Sequence, residues 1–185
     1  MTTANTNADT EVATLGGGCF WCTEAVFLDV KGVVAVESGY SNGHATKPSY
    51  EQVCRGDTGH AEVIRVRFDP KVIGYRELLE IFFVVHDPTT PNRQGNDVGT
   101  QYRSGIYTHN EEQARIAREV IAELQASGAV RGTIVTEVRP EANYWPAEAY
   151  HQNYFAQHPG QGYCAFVVAP KLEKFRHTFG QYRKA

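Results

Sequence analysis

The stretch VATLGGGCFWCTEAVF, residues 12–27, constrains the fold more than any other. An apolar strand pattern runs into three consecutive glycines and then into Cys22, Ala25 and Val26, spaced as one stripe of a helix. A strand, a tight glycine turn and a helix entrance are therefore joined within a few residues, and the glycines let another group come close to the backbone. Cys19 stands at the helix entrance. Unpaired N–H groups and the positive end of the helix dipole there favour a thiolate, so its pKa is expected to fall from about 8.5 towards neutrality. Cys22, one turn on, reads as a small buried hydrophobe. Phe20 and Trp21 are either core aromatics or, in an exposed first turn, an apolar cup for a methyl or thioether group.

Further along, VVAVESGY reads as a strand and AEVIRVRF alternates as a strand should. YRELLEIFFVVH carries an apolar stripe, Leu78, Leu79, Phe82 and Phe83, and predicts a helix. Between them, residues 41–60 are turn-rich, and DPTTPNRQGNDVGTQYR runs on with almost nothing apolar to bury, as functional loops do. Asn110 with Gln113 resembles a capping box for a helix that Gly128 stops. TIVTEV predicts a strand, and Pro146 suits the first turn of a helix over WPAEAYHQNYFAQ. Strands and helices intermix without strict alternation. The expected class is α+β, a two-layer sandwich around a mixed sheet. Residues 1–11 are expected to be a disordered tail and residues 12–185 a single domain.

In HAEVIRVRF the period of two places Glu62, Ile64, Val66 and Phe68 on one face. A glutamate heading an apolar face either snorkels to solvent or is desolvated, stays protonated and serves as a general acid. Tyr50 and Tyr102 lie in the polar loops, either as surface anchors or as O–H donors to a substrate oxygen. A formal charge of −3 argues against nucleic acid or an anionic membrane as the main partner, and no run approaches a membrane span. The polar start predicts a cytoplasmic protein, where four cysteines point to catalysis, metal or packing rather than structural disulfides. Two alternatives compete for the C-x-x-C: a thioredoxin-like oxidoreductase using Cys19 and Cys22, and a zinc deaminase-like hydrolase using His60-Ala-Glu62. The order of the motifs and the absence of a second cysteine pair disfavour the metal reading.

The chain resembles one known family through GCFWC-E at 18–24, GY at 39–40, PSYEQVCRGDTGHAE at 48–62, HDPTTPNRQGNDVGTQYRS at 86–104 and GYC at 162–164. These motifs are similar to those of the A-type peptide methionine sulfoxide reductases, MsrA. The resemblance implies a two-layer α+β sandwich with a ferredoxin-like core, and thiol-dependent reduction of methionine-S-sulfoxide, free or in proteins. It implies Cys19 as nucleophile and Glu62 as acid. Tyr50 and Tyr102 would bind the sulfoxide oxygen, with Asp97 in support, and Phe20 and Trp21 would receive the methyl group. Cys164 would resolve the sulfenic acid of Cys19, and thioredoxin would recycle the disulfide with no bound cofactor or metal. A monomer is expected. Asn42 departs from the glycine frequent after GYS in the family, and no cysteine follows Cys164, which leaves Cys22 and Cys54 as the other thiols and disfavours a two-step relay.

Overall fold

A computed structural model describes residues 10–184. Nine residues of the expected tail lie outside the described ones, and Glu11 already opens the first strand. The elements needed to place the site are β1 (Glu11–Gly16), α1 (Phe20–Leu28), β2 (Val33–Ser41), α2 (Tyr50–Cys54), β3 (Ala61–Phe68) and α3 (Tyr75–Val85). There follow β4 (Arg93–Gln94), β5 (Asp97–Val98), a 3-10 turn at Thr100–Tyr102, β6 (Gly105–Thr108), α4 (Glu111–Ser127), β7 (Glu137–Pro140) and β8 (Trp145–Pro146). After these come a 3-10 turn at Ala149–His151, α5 (Tyr154–Gln157), a wide-turn π-helix at Cys164–Val168, and α6 (Ala169–Thr178).

Six strands form one mixed sheet in the order β7-β6-β1-β3-β2-β8. Only β6 and β7 are parallel. Parallel neighbours need a long crossover, and α4 supplies it. Its N-cap Asn110 accepts from the Gln113 N–H (2.8 Å), while the Gln113 side chain accepts from the N–H of His109 rather than of Asn110. Gly128 ends α4 at φ 74, the left-handed cap expected of it.

The expected face of β3 is the inner one. Ile64, Val66 and Phe68 join Leu15, Ile106 and Tyr40 in the main core, against Phe27 of α1, Leu78 and Phe82 of α3, Val120 of α4 and Phe175 of α6. The opposite face is smaller. Ala61, Val63 and Tyr107 pack there under Tyr144, whose ring lies 3.7 Å from the Arg65 guanidinium. This is the α+β sandwich read from the sequence.

Three segments depart from expectation. The 41–60 loop contains α2, capped by Ser49, which accepts from the Gln52 N–H (3.2 Å) while Gln52 accepts from Ser49 N–H (2.9 Å). In TIVTEV only the last two residues enter β7, which runs on to Pro140. The stretch WPAEAYHQNYFAQ is not one helix but β8, a 3-10 turn and the four-residue α5. Its polar groups are diverted into tertiary bonds. Gln152 bridges Ser38, Glu148 takes hydrogen bonds from Tyr40 and Tyr50, and Asn153 sits at φ 56 with its N–H bonded to Glu24. Those bonds outweigh a modest helical propensity.

The long loop after α3 folds on itself through buried amides rather than apolar groups. Gln94 accepts from the Asp87 N–H (2.8 Å) and donates to the Asp87 carbonyl (2.9 Å). It thereby packs against Gly18, whose φ is 91 and where a Cβ would stand 2.6 Å from the Gln94 side chain. Gly18→Ala is expected to destabilise the fold by about 1–3 kcal/mol in urea unfolding, through left-handed strain and that contact. Activity should fall with it, because the same turn aims Cys19.

Candidate active site

The glycine turn delivers Cys19 as the N-cap of α1, in extended conformation (φ −62, ψ 128). The Cys22 N–H donates to the Cys19 carbonyl at 3.1 Å, closing the first turn. In that turn the Phe20 N–H has no partner within the helix. It is taken by Glu62, whose Oε1 accepts at 3.0 Å from β3, directly beneath. Glu62 is 1% exposed, and its second oxygen, Oε2, is buried without a hydrogen-bond partner. Burial raises its pKa to about 8; the Phe20 N–H opposes this, and the Asp97 charge adds to it. The carboxyl is thus mainly protonated at neutral pH, with an O–H to give and an unclaimed oxygen.

Cys19 departs from expectation. Its thiol is pushed up, not down, first by burial, then by its hydrogen bond to Cys22 and by the charge of Glu62. The Trp21 N–H at the helix end lowers it but is too weak to offset desolvation. Cys22 moves the other way, held below the ordinary thiol range by the hydrogen bond from Cys19, against burial, and with help from the Lys171 ammonium. Cys22 is buried as expected, yet it is also a chemical neighbour of Cys19.

Tyr50 opens α2 and Tyr102 closes the 3-10 turn before β6. Both phenols are raised, first by burial and then by Glu62, and the charge of Cys19 adds to both. The Tyr50 hydroxyl also bonds to the thiol of Cys54, which is exposed. Asp97 accepts from the Tyr163 O–H at 2.6 Å, and the Tyr163 oxygen lies 3.8 Å from Cys22 Sγ. Phe20 is fully buried, against Tyr40 (5.7 Å) and His151 (5.1 Å), so it backs the cup rather than lining an exposed turn. Trp21 is the accessible ring. It stacks on Tyr154 (3.9 Å, 6°), meets Tyr163 edge-on (5.7 Å), and donates from Nε1 to His151 Nδ1 at 3.0 Å.

Cys164 has no exposed surface and shares a small apolar cluster with Cys19, Cys22, Ala25 and Val168. It lies in the wide helical turn Cys164–Val168, in a helix that Gly162 already opens. The turn before that helix holds Gly160, where a Cβ would meet nothing within 4 Å. Burial raises the Cys164 thiol, and the charge of Cys22 adds to this. All four cysteines are free. The zinc alternative fails on geometry: His60 accepts from the Gly43 N–H at Nδ1 (3.1 Å) and contacts the Ala45 carbonyl at Nε2 (2.7 Å), so both ring nitrogens serve its own loop.

Sequence reasoning gave no role to several residues that shape the site. Glu24 accepts from the N–H groups of Asn153 (2.7 Å) and Tyr154 (3.3 Å), Glu148 holds Tyr40 and the Tyr50 backbone, and His151 sets the Trp21 ring. Glu24 and Tyr163 both lie in the quoted motifs. A glutamate on an otherwise apolar helix was the available signal for the first.

The buried acid has a cost in stability. Its folded pKa, about 8, exceeds the usual carboxylate value near 4.3, so its stabilising contribution is complete at low pH and is lost as pH rises towards 8. Glu62→Gln retains the bond from Phe20 and does not titrate. Its Tm should therefore gain on the wild type by several degrees between pH 5 and pH 8, at roughly 2–4 °C per kcal/mol. A constant difference would show that Glu62 is ionised when folded.

Comparison with known proteins follows the same geometry. The family model described as peptide methionine sulfoxide reductase matches residues 11–183. A peptide methionine sulfoxide reductase MsrA of Polynucleobacter asymbioticus is 62% identical over 169 residues, covering 91% of this chain and 89% of that relative. Among solved structures, reduced Mxr1 of Saccharomyces cerevisiae superposes with a TM-score of 0.78 at 39% identity, over 85% of this chain and 90% of that one. Mxr1 in complex with Trx2 gives 0.55 at 29% identity, over 80% and 86%. The chain belongs to the peptide methionine sulfoxide reductase family.

Proposed function

We propose that this chain reduces methionine-S-sulfoxide, free or in proteins, with Cys19 as nucleophile and Glu62 as acid, and that thioredoxin recycles it. The reading rests above all on one observation: a protonated buried carboxyl with an unclaimed oxygen beside the N-cap thiol. The substrate methyl lies against Trp21, backed by Phe20. The sulfoxide oxygen receives hydrogen bonds from Tyr50, Tyr102 and Glu62. Cys19 attacks sulfur as Glu62 protonates the oxygen, and the Cys19 proton replaces the one that Glu62 gave. The sulfur–oxygen bond of the substrate and the transient bond from Cys19 to its sulfur both break as the oxygen passes to Cys19, so that methionine leaves and Cys19 becomes a sulfenic acid. Tyr163 holds Asp97 at the rim. A rigid site that fixes methyl and oxygen on opposite sides accepts one epimer.

Contact with Cys19 and its lowered pKa favour Cys22 as the thiol that attacks the sulfenic acid, releasing water and closing a Cys19–Cys22 disulfide. Cys164, which shares the small cluster with both thiols, then exchanges with that bond and passes the oxidation to thioredoxin. Trx2, bound to the yeast relative, is a thioredoxin and supports this assignment. The thioredoxin-like alternative gives no work to Glu62, Tyr50 or Tyr102. A thioredoxin-coupled cycle suits a reducing compartment, and we place it in the cytoplasm. Among the described residues no helix is long and apolar enough to cross a membrane.

Incubation of each sulfoxide epimer of a blocked methionine with dithiothreitol tests the reaction: the S epimer should yield methionine and the R epimer none. Cys19→Ser should be inactive even in excess dithiol. Glu62→Gln should lose roughly 10²-fold or more, with the loss shrinking at low pH, where solvent supplies the proton. Turnover by Cys19→Ser, or an unchanged Glu62→Gln rate at pH 8, would overturn the roles given.

The thiol order has its own test. Cys22→Ser and Cys164→Ser should each release about one methionine per enzyme in a burst, since the first step needs only Cys19 and Glu62. Peptide mapping of oxidised Cys164→Ser should give a Cys19–Cys22 bridge, and turnover with thioredoxin should collapse. A wild type that forms Cys19–Cys164 first, with Cys22 free, would return Cys22 to a packing role.

A further inference from the structure

We propose that thioredoxin docks on an apolar surface centred on Phe166. The inference rests on the recycling function given to Cys164 above. Residues 158–170, HPGQGYCAFVVAP, contain no Asp, Glu, Lys or Arg, in a chain where 21% of residues are charged. Phe166 is 83% exposed, more than any other large hydrophobic residue among those described. A single exposed apolar side chain is ordinary. The local backbone sets this one apart.

The turn that carries it is a π-helix, Cys164–Val168, running into α6. Cys164 and Val168, four residues apart, are both fully buried in the thiol cluster, and Phe166 between them points outward. Wide turns of this kind are uncommon and recur at functional sites. Here the turn holds the thiol inside and an aromatic ring outside, two residues away.

Any protein that exchanges a disulfide with Cys164 must bring its own Cα to within about 7 Å, and Phe166 stands two residues from that thiol, on the outer face of the same wide turn. Cys164 itself is covered, and the 158–161 turn before the helix must swing for a partner thiol to reach it. Phe166 lies on the helical side of Cys164, not in that turn, and remains a fixed anchor while the turn opens. An aromatic anchor in a charge-poor patch has the composition of an interface centre. Once docked, one thioredoxin thiolate attacks Cys164 sulfur and Cys22 leaves as a thiolate. The second thioredoxin thiol then attacks its partner sulfur and releases Cys164, so two electrons pass and thioredoxin becomes the disulfide.

The test compares two reductants on Phe166→Ala. With thioredoxin and its NADPH-dependent reductase, the KM for thioredoxin should rise roughly tenfold, the loss of one aromatic anchor. With dithiothreitol, turnover and the single methionine burst should stay within about twofold of the wild type, which also reports the fold. Phe166→Glu should raise the thioredoxin KM further. Val34→Ala, removing another exposed side chain, should change neither. An unchanged thioredoxin KM in Phe166→Ala would overturn the docking surface and leave the reaction intact. Loss of dithiothreitol turnover as well would overturn it by making Phe166 structural. A wild type driven by dithiothreitol but not by thioredoxin would instead bring down the recycling function, and the surface with it.

Discussion

The hydrogen bond from the Phe20 N–H to Glu62 is the contact on which the rest of the site depends. It joins the first turn of α1 to the inner face of β3, and so fixes Cys19 relative to the sheet. A helix end stabilises a nearby anion by about 0.3–1 kcal/mol at an exposed site, whereas full burial of a carboxylate costs several. Desolvation wins. Glu62 remains an acid although the Phe20 N–H opposes this, and burial comes first in raising the Cys19 thiol as well.

A second set of bonds holds the aromatic wall. Residues 144–154 lie across α1 and β2, and their geometry is set by side chains from elsewhere: Ser38 to Gln152, Tyr40 and Tyr50 to Glu148, Glu24 to the backbone at Asn153 and Tyr154. This segment then supplies His151 and Tyr154, which bond to and stack on Trp21. The methyl site is therefore built from three distant parts of the chain. No single one of them orients the indole alone.

What could be read from the sequence was local. The glycine run before Cys19, the alternation of β3 that turns Glu62 inward, and the Asn110 and Gly128 ends of α4 all follow from residue pattern, and the structure places them so. The Ser49–Gln52 capping box was equally legible and marks α2. Residues 145–157 were not legible, because their conformation answers to Glu24, Ser38 and Tyr50 rather than to their own propensity. The pKa of Cys19 was missed for a related reason: a helix end can be seen in sequence, but the depth of the thiol and its neighbours cannot. Cys22 carries the same lesson. Its helical spacing predicts burial and says nothing of the hydrogen bond that ties it to Cys19.

The protonated state of Cys19 has a consequence for an enzyme that meets oxidants. Peroxides and alkylating agents consume thiolates, and their rates follow the thiolate fraction. A buried thiol held above its usual pKa offers them little to react with. In the proposed reaction a bound sulfoxide is different, because Glu62 would protonate it in place and make its sulfur electrophilic enough for a weak nucleophile. Reactivity would thus be stored in the acid and not in Cys19. The resting Cys19 is then kept inert towards the very conditions that generate the substrate.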